Sequence, residues 1–215
     1  MLHLIKKDIL IQKKNMLISL LLIAFFLVTL SNLGPAGLSI SILAISYSLA
    51  LGASMMDDKT NSDMMLVSLP IKKSTIVLSK YISVFVFALY ATIVNFILYF
   101  VITLMQVPLK ERWFTIDAII GAIVSVTIFT ALALPLIIKW GYTKAKLPNF
   151  IIFFTFVIGV TMIISNMDYY STTAIMEFFS VRSTIEMLVL TLIPLILLIV
   201  ISYLISLKFY SNREF

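Results

Sequence analysis

Six stretches of apolar residues, each long enough to cross a lipid bilayer, limit what this chain of 215 residues can fold into. They cover residues 16–33, 36–56, 81–107, 116–138, 147–165 and 185–207. Because a membrane-spanning helix needs roughly 20 apolar residues, six spans use most of the chain and leave only short loops. Hydrophobic residues make up 61% of the sequence and charged residues 12%, whereas soluble domains have about 45–50% and about 25%. The sequence therefore predicts an all-α membrane protein with one transmembrane domain over residues 1–215.

The basic residues predict how these spans are oriented. The chain has 16 Lys and Arg residues, and a cytoplasmic N-terminus places all of them in the cytoplasm except Lys110, Arg112 and Arg182. Cytoplasmic loops of membrane proteins are enriched in Lys and Arg, so the distribution fits an even number of spans. We expect a multi-pass protein of the cytoplasmic membrane whose two termini are both cytoplasmic.

Several classes of function are disfavoured by residues that the sequence lacks. There is no Cys and only one His, which excludes disulfides and thiolate catalysis and makes a zinc site improbable. No glycine begins a G-x-x-x-x-G-K-[ST] loop for phosphates, and no ionisable residue occupies the middle of a predicted span, as ion-coupled carriers usually require. The basic residues lie between apolar blocks, so we expect no nucleic-acid binding. The chain is predicted to be neither an enzyme nor a cofactor-binding protein, and to interact with membrane lipids.

Residues 1–15 carry an amphipathic pattern. Leu2, Ile5, Ile9 and Gln12 share one helical line, and lysines flank it. A helix of this kind lies in the membrane interface with its basic face toward the headgroups. We expect an interfacial helix that turns into the first span; the alternative is a basic tail that serves only the orientation of the chain.

Residues 57–80 form the longest predicted cytoplasmic segment. Three carboxylates (Asp57, Asp58 and Asp63) precede an apolar patch of Met and Leu, and Pro70 then ends the helix. An exposed apolar patch indicates either a partner or the membrane surface, and Met side chains adapt well to partner grooves. The pattern predicts a short cytoplasmic helix with an apolar surface, for which both occupants remain open.

Two segments carry a family resemblance. The opening LIKKDILIQKKN and the later DDKTNSDMMLVSLPIKKSTIVLSKYI resemble the small six-span permeases of ABC-2 type transporters. The resemblance covers the whole chain in topology and is most specific in these two segments. Among those permeases, the chain looks most similar to bacterial exporters of amphipathic or antimicrobial peptides, including phenol-soluble modulins.

The resemblance implies a half-transporter in the bacterial cytoplasmic membrane. Two permease subunits, identical or paralogous, would work with a dimer of ABC ATPase subunits, and those subunits would bind ATP and Mg. The N-terminal helix would correspond to the connecting helix. Residues 58–69 would correspond to the coupling helix that contacts the ATPase, with Asp58, Lys59, Asp63, Met64, Met65, Leu66 and Leu69 as its contact residues.

Two further regions are candidates for the transport path. The second span carries a stripe of small residues, which indicates either close helix packing or the border of a cargo cavity; the fifth span is rich in Phe. The cargo-path candidates are Ser41, Tyr47, Ser48, Phe153 and Phe154. Residues 166–184 form the largest extracellular loop, which would be an aromatic membrane anchor or a lid over the exit.

Two other classes of protein remain as alternatives. One is the substrate-capturing membrane subunit of a vitamin-type ABC importer, although such subunits typically dock through an A-x-x-x-A face and the first span has only Ala24. The other is a membrane scaffold or sensor that transports nothing. Copurification of an ATPase subunit would separate the scaffold from both transporters.

Overall fold

The computed structural model describes residues 1–68, 70–105, 114–165 and 184–212, and in these ranges the regular structure is helical throughout. The helices are α1 (Leu2–Thr29), α2 (Pro35–Lys59), α3 (Ser62–Ser68), α4 (Lys73–Leu104), α5 (Ile116–Ser165) and α6 (Thr184–Ser211), with a 3-10 turn over Ser31–Leu33. The predicted extracellular loop and the predicted positions of Leu69, Lys110, Arg112 and Arg182 lie outside the described residues.

Five of these helices are long and apolar enough to cross a membrane, and α5 consists of two spans. Gly141 has φ 74° and ψ 166° within its 50 residues, a backbone conformation that glycine adopts most readily. Phe129 and Phe153 lie on opposite sides of it, yet their ring centroids are 5.8 Å apart, whereas a continuous helix would separate them by roughly 36 Å. The chain therefore folds back at Gly141, which divides α5 into α5a (residues 116–140) and α5b (residues 142–165). With that hairpin, the expected six-span all-α fold is confirmed.

Residues 1–15 are helical as expected, but no turn separates them from the first span. They are the first turns of α1, which runs without a break from Leu2 to Thr29. The buried face continues through Asp8, Gln12, Ser19, Ile23 and Leu27, and the sequence offers no Gly or Pro that would interrupt it. A helix of 28 residues is roughly 42 Å long, so its basic end extends beyond a hydrocarbon layer of about 30 Å.

The second helix is the centre of the bundle. In its most apolar stretch 61% of the residues are buried, compared with 17% in α1 and 11% in α6. Its small residues permit close contact with neighbours: a Cβ atom added to Gly52 would lie 2.7 Å from Gln12 Oε1 of α1. Thus α2 packs on several sides, while α1 and α6 present most of their apolar surface outward, where lipid would cover it.

A proline in α5a is compensated by a hydroxyl group from α6. Pro135 has no N–H, so the carbonyl four residues earlier, that of Ala131, receives no helical hydrogen bond from it. Ser202 Oγ donates a bond of 2.7 Å to that carbonyl. The hydroxyl of Tyr81 lies 2.6 Å from Ser202 Oγ and 2.9 Å from Ser206 Oγ. This buried hydroxyl cluster joins α4, α5a and α6.

We expect Ser202→Ala to lower the stability of the purified protein by about 1–2 kcal/mol, because the Ala131 carbonyl loses its donor. The same change should cost less in a Pro135→Ala background, where residue 135 regains an N–H that can bond to Ala131. Thermal unfolding in detergent would measure this double-mutant cycle. Additive effects of the two substitutions would contradict the compensation.

The described contacts also bring several helix ends to the same side of the bundle. Asp58 at the end of α2 contacts Thr143 at the start of α5b, and Lys73 at the start of α4 contacts the Ser211 carbonyl at the end of α6. The basic residues around these ends match the side that the sequence assigns to the cytoplasm.

Cysteine labelling tests this orientation, and the chain has no Cys of its own to interfere. We expect a membrane-impermeant maleimide to label Lys72→Cys and Lys144→Cys only after the cells are permeabilised, because the lysine-rich loops of membrane proteins lie on the cytoplasmic side. Lys110→Cys, which the same assignment places outside, is the matched control and should react in intact cells. Labelling of position 72 in intact cells would contradict the orientation.

Candidate functional site

The predicted coupling segment contains a short helix outside the apolar spans. After α2 ends, the Thr60 N–H and Oγ1 both donate to the Met56 carbonyl, at 3.0 and 2.8 Å. Asn61 has φ 49°, a left-handed conformation that asparagine tolerates, and it turns the chain into α3. The helix α3 has seven residues, Ser62–Ser68, and is followed by the predicted helix breaker Pro70.

The apolar residues of α3 divide into an exposed pair and a buried one. Met64 is 54% exposed and Met65 is 68% exposed, whereas Leu66 is only 9% exposed and belongs to the hydrophobic core. The sequence predicted that Leu66 contacts a partner. In the structure its side chain packs into the bundle instead and holds α3 there. The Asp63 side chain and Leu69 lie outside what the structure describes. Among the described side chains of this segment, Met64 and Met65 form the outward apolar surface.

The carboxylate of Asp58 forms hydrogen bonds with another helix of the same chain. Its Oδ2 accepts hydrogen bonds from the Thr143 backbone N–H at 3.1 Å and from Thr143 Oγ1 at 3.4 Å. Thr143 is in the first turn of α5b, where N–H groups have no partner inside the helix and where a carboxylate is favoured by the helix dipole. Asp58 thus caps α5b, while its neighbour Lys59 is exposed.

A buried ionic cluster lies next to this segment, and the sequence analysis missed it. Asp57 Oδ1 accepts from Lys7 Nζ at 2.7 Å and from Ser62 Oγ at 2.7 Å. Asp57 Oδ2 is 3.6 Å from Lys80 Nζ. Asp8 completes the cluster, with its carboxylate 3.5 Å from Lys7 Nζ and 2.7 Å from Ser83 Oγ. The cluster joins α1, α2, α3 and α4.

The two carboxylates of the cluster, which lie outside the apolar spans, have opposite pKa shifts. Burial raises the pKa of Asp8, and this effect outweighs the Ser83 hydrogen bond and the nearby Lys7. Burial also acts to raise the pKa of Asp57, but the charge of Lys80, followed by Lys7 and Ser62, holds the pKa below its ordinary value. Asp57 is therefore the charged centre of the cluster. Removing one member of such a buried pair costs about 3–5 kcal/mol.

The signal for this cluster was present in the sequence. Asp8 and Gln12 are polar residues on the same line of α1 as the apolar Ile5, and a polar residue on a buried face needs a partner. Asp57 and Lys80 are charged residues at the ends of two neighbouring spans. Only their contact in the folded chain shows that they meet.

Three of the five cargo-path candidates contact one another, and the other two lie apart. The ring of Tyr47 in α2 stacks on Phe153 of α5b at 5.1 Å, and Phe153 contacts Phe154 at 5.7 Å. Ser41 lies apart from them; it is buried and donates to Asn95 Oδ1 of α4 at 3.3 Å. Ser48 is exposed and bonds to the Ile45 carbonyl of its own helix. The structure brings Tyr47, Phe153 and Phe154 together and separates both serines from them.

A cavity of about 190 Å³ lies beside these aromatic residues, between α2, α5a and α5b. Leu43, Gly121 and Phe156 line it, together with the hydroxyl-bearing Ser39 and Ser125. Phe156 also contacts Phe129, whose ring meets Tyr47 edge-on at 4.6 Å. Tyr47, Phe129, Phe153, Phe154 and Phe156 thus form an aromatic cluster, and its member Phe156 lines the largely apolar cavity.

A protein-family model described as "ABC-2 family transporter protein" matches residues 3–211. The chain belongs to the ABC-2 transporter family. Neither a curated protein nor a solved structure matches the chain significantly. Membership makes the chain a multi-pass membrane permease of an ABC transporter that works with an ABC ATPase.

Within this ABC-2 permease, the hydroxyl group of Tyr47 has an unusual environment. Its oxygen is buried and has no hydrogen-bond partner among the described residues, and the side-chain amide of Asn149 in α5b is in the same state. Burying such a group without a partner is costly, so it lowers stability. Polar groups kept at this cost deserve a functional explanation, and Tyr47 lies in the aromatic cluster.

We expect Tyr47→Phe to raise the stability of the permease by about 1 kcal/mol, because it removes an unpartnered buried hydroxyl and keeps the ring stack. Tyr90→Phe is the matched control: its hydroxyl donates to the Met16 carbonyl at 2.7 Å, so its removal should lower stability. Thermal unfolding of the two variants in detergent compares them. A destabilised Tyr47→Phe would show that this hydroxyl has a partner.

Proposed function

We propose that this permease forms the translocation path of an exporter for amphipathic or antimicrobial peptides or other apolar cargo, and that a separate ATPase dimer drives it through α3. The observation that carries the proposal is the exposed methionine pair on a short helix outside the spans. Met64 and Met65 point outward, while Leu66 holds the same helix in the core. An apolar pair presented by a fixed helix suits a groove on a protein partner.

The position of α3 supports ATPase contact over attachment to lipid. Exposed lysines surround the segment, namely Lys59 before α3 and Lys72 and Lys73 after it. The segment lies at the end of the bundle where α2, α4 and α5b meet, so a force applied there reaches several spans. A lipid-bound helix would have no comparable use for that position.

The aromatic cluster supports apolar cargo. Phe156 of this cluster lines the cavity, and its other lining residues are aliphatic, glycine or serine; Tyr47, Phe129 and Phe153 pack on one another behind Phe156. Aromatic and apolar walls with few polar groups are typical of sites for apolar ligands. Phe150 and Phe154 remain exposed on α5b, which leaves an apolar face for a second permease subunit, identical or paralogous, across the path.

The energy source follows from the sequence. No ionisable residue occupies the middle of a predicted span, so an ion gradient has no relay of the kind that coupled carriers use. The chain also has no P-loop. We therefore assign ATP and Mg binding to the partner subunits and the path to this chain, in the bacterial cytoplasmic membrane.

Replacing the methionine pair tests the ATPase contact. The double variant Met64→Asp, Met65→Asp should lose its ATPase subunit during copurification, because two unpaired charges at a buried contact cost about 2–5 kcal/mol. The unfolding temperature of the permease alone should change little, since both side chains are exposed. Copurification from membranes and ATPase activity are the two measurements.

The matched control is Met64→Leu, Met65→Leu, which keeps an apolar side chain at both exposed positions and introduces no charge. The control should retain the ATPase. If the Met64 and Met65 variant also retains the ATPase and still stimulates hydrolysis, lipid attachment is the better account of the pair. Failure of the unaltered permease to bring down any ATPase would favour the scaffold or sensor.

A further inference from the structure

Two adjacent carboxylates at the end of α2 hold four other elements of the fold. Asp57 contacts α1 through Lys7, α3 through Ser62 and α4 through Lys80. Asp58 contacts α5b through Thr143. Adjacent residues on a helix point in different directions, about 100° apart, which lets each carboxylate bind a different set of neighbours.

The bond between Asp57 and Ser62 closes the turn from α2 to α3. Ser62 Oγ lies 2.7 Å from Asp57 Oδ1, and the Asn61 N–H donates to the Asp58 carbonyl at 3.4 Å. Together with the Thr60 bonds to Met56, these contacts join α3 to the end of α2. A displacement of α3 therefore displaces the Asp57 and Asp58 carboxylates as well.

The two carboxylates differ in their exposure to solvent. Asp57 is buried, so its ion pairs are little screened and resist separation. Asp58 is partly exposed, and it binds the backbone of the first turn of α5b, a helix that carries Phe153 and Phe154. The first carboxylate thus holds the ends of α1 and α4 together, and the second connects them to the helix that bears the aromatic cluster.

We propose that Asp57 and Asp58 are positioning residues for transport, which pass a displacement of α3 to α1 and α4 through Asp57 and to α5b through Asp58. The inference rests on the proposed function, because it takes α3 as the element that the ATPase moves. It assigns the transfer to α5b to the capping contact between Asp58 and Thr143. That contact joins the coupling segment to the helix that carries Phe153 and Phe154.

The test follows the motion of α5b. A nitroxide label on Ile158→Cys, which is exposed on α5b, is the only label on a chain without native Cys. The labelled permease is recombined in lipid vesicles with the ATPase subunit that copurifies with it. Spectra are recorded without nucleotide and after trapping with ATP and vanadate. The unaltered contact should give a nucleotide-dependent spectral change.

Asp58→Ala removes the cap and should reduce this change by about 2- to 30-fold, the range for substitutions along coupled networks. ATPase binding should remain, because the Asp58 carboxylate bonds to Thr143 within the chain, in contrast to the partner contact expected from the sequence. Asp58→Asn should restore the change, because asparagine is also a good N-cap. For the buried residue, Asp57→Asn should reduce the change and Lys7→Arg should keep it. Asp117→Asn, on α5a and outside these contacts, is the control.

A full nucleotide-dependent change in Asp58→Ala would overturn the inference and leave the ATPase contact standing. Loss of ATPase binding by Asp58→Ala would also overturn it, because Asp58 would then belong to the docking surface. If Asp58 only stabilised the fold, Asp58→Ala would lower the unfolding temperature, hydrolysis and the spectral change together. No variant would then lose the spectral change while keeping its unfolding temperature and hydrolysis. Failure of the unaltered permease to bind an ATPase would instead count against the proposed function.

Discussion

Lipid offers no hydrogen bonds, and this constraint determines most of the fold. In the hydrocarbon layer each backbone N–H and C=O must bond within the protein, which helices do by themselves. At Pro135 a side chain replaces the missing donor, because Ser202 Oγ donates to the Ala131 carbonyl. Ser39 of α2 adds a bond of 2.8 Å to the Ala118 carbonyl of α5a. Hydroxyl groups thus link neighbouring helices where apolar contacts alone would allow sliding.

The end of the bundle that carries Asp57 and Asp58 is held differently. Its helices end beyond the apolar spans, and charged groups replace hydroxyl groups as the links between them. Lys7, Asp57 and Lys80 form a buried network, and Asp58 caps α5b. Because charged hydrogen bonds depend strongly on geometry, this end has a defined arrangement, and a change in one contact alters the others. The apolar middle lacks such coupling, since dispersion contacts between aliphatic side chains are less directional.

The spans were predictable because apolar length is a local property of the sequence. The break at Gly141 was also predictable, since lysines separate the two apolar runs of α5. The continuity of α1 was missed because its first 15 residues read as amphipathic in isolation; the partners that bury Asp8 and Gln12 come from α2 and α4. Leu66 was assigned to the exposed face for a similar reason. In a helix of seven residues, the direction of each side chain depends on how the turn at Asn61 and Ser62 orients α3 relative to α2.

The site shows the same division between local and distant information. The apolar methionine patch could be recognised from composition, and Tyr47 and Phe153 were both named as cargo-path candidates, but the contact between their rings was not predicted. Ser41 and Ser48 were grouped with them because small residues recur along α2, but the two serines face different neighbours. One is buried against Asn95 and the other is exposed. A stripe of small residues predicts close packing and does not identify which helix packs there, because α2 is surrounded on several sides.

The central position of α2 also explains why the coupling segment can be short. The middle of α2 contributes Tyr47 to the aromatic cluster. Its end carries Asp57 and Asp58, about three turns away along the same helix. A helix transmits displacement along its axis with little loss, whereas a flexible loop absorbs it. A seven-residue α3 joined to α2 by Ser62 therefore needs no long lever of its own. In the proposed transfer of motion, α2 itself carries the displacement, and the contacts at its end determine which neighbours move with it.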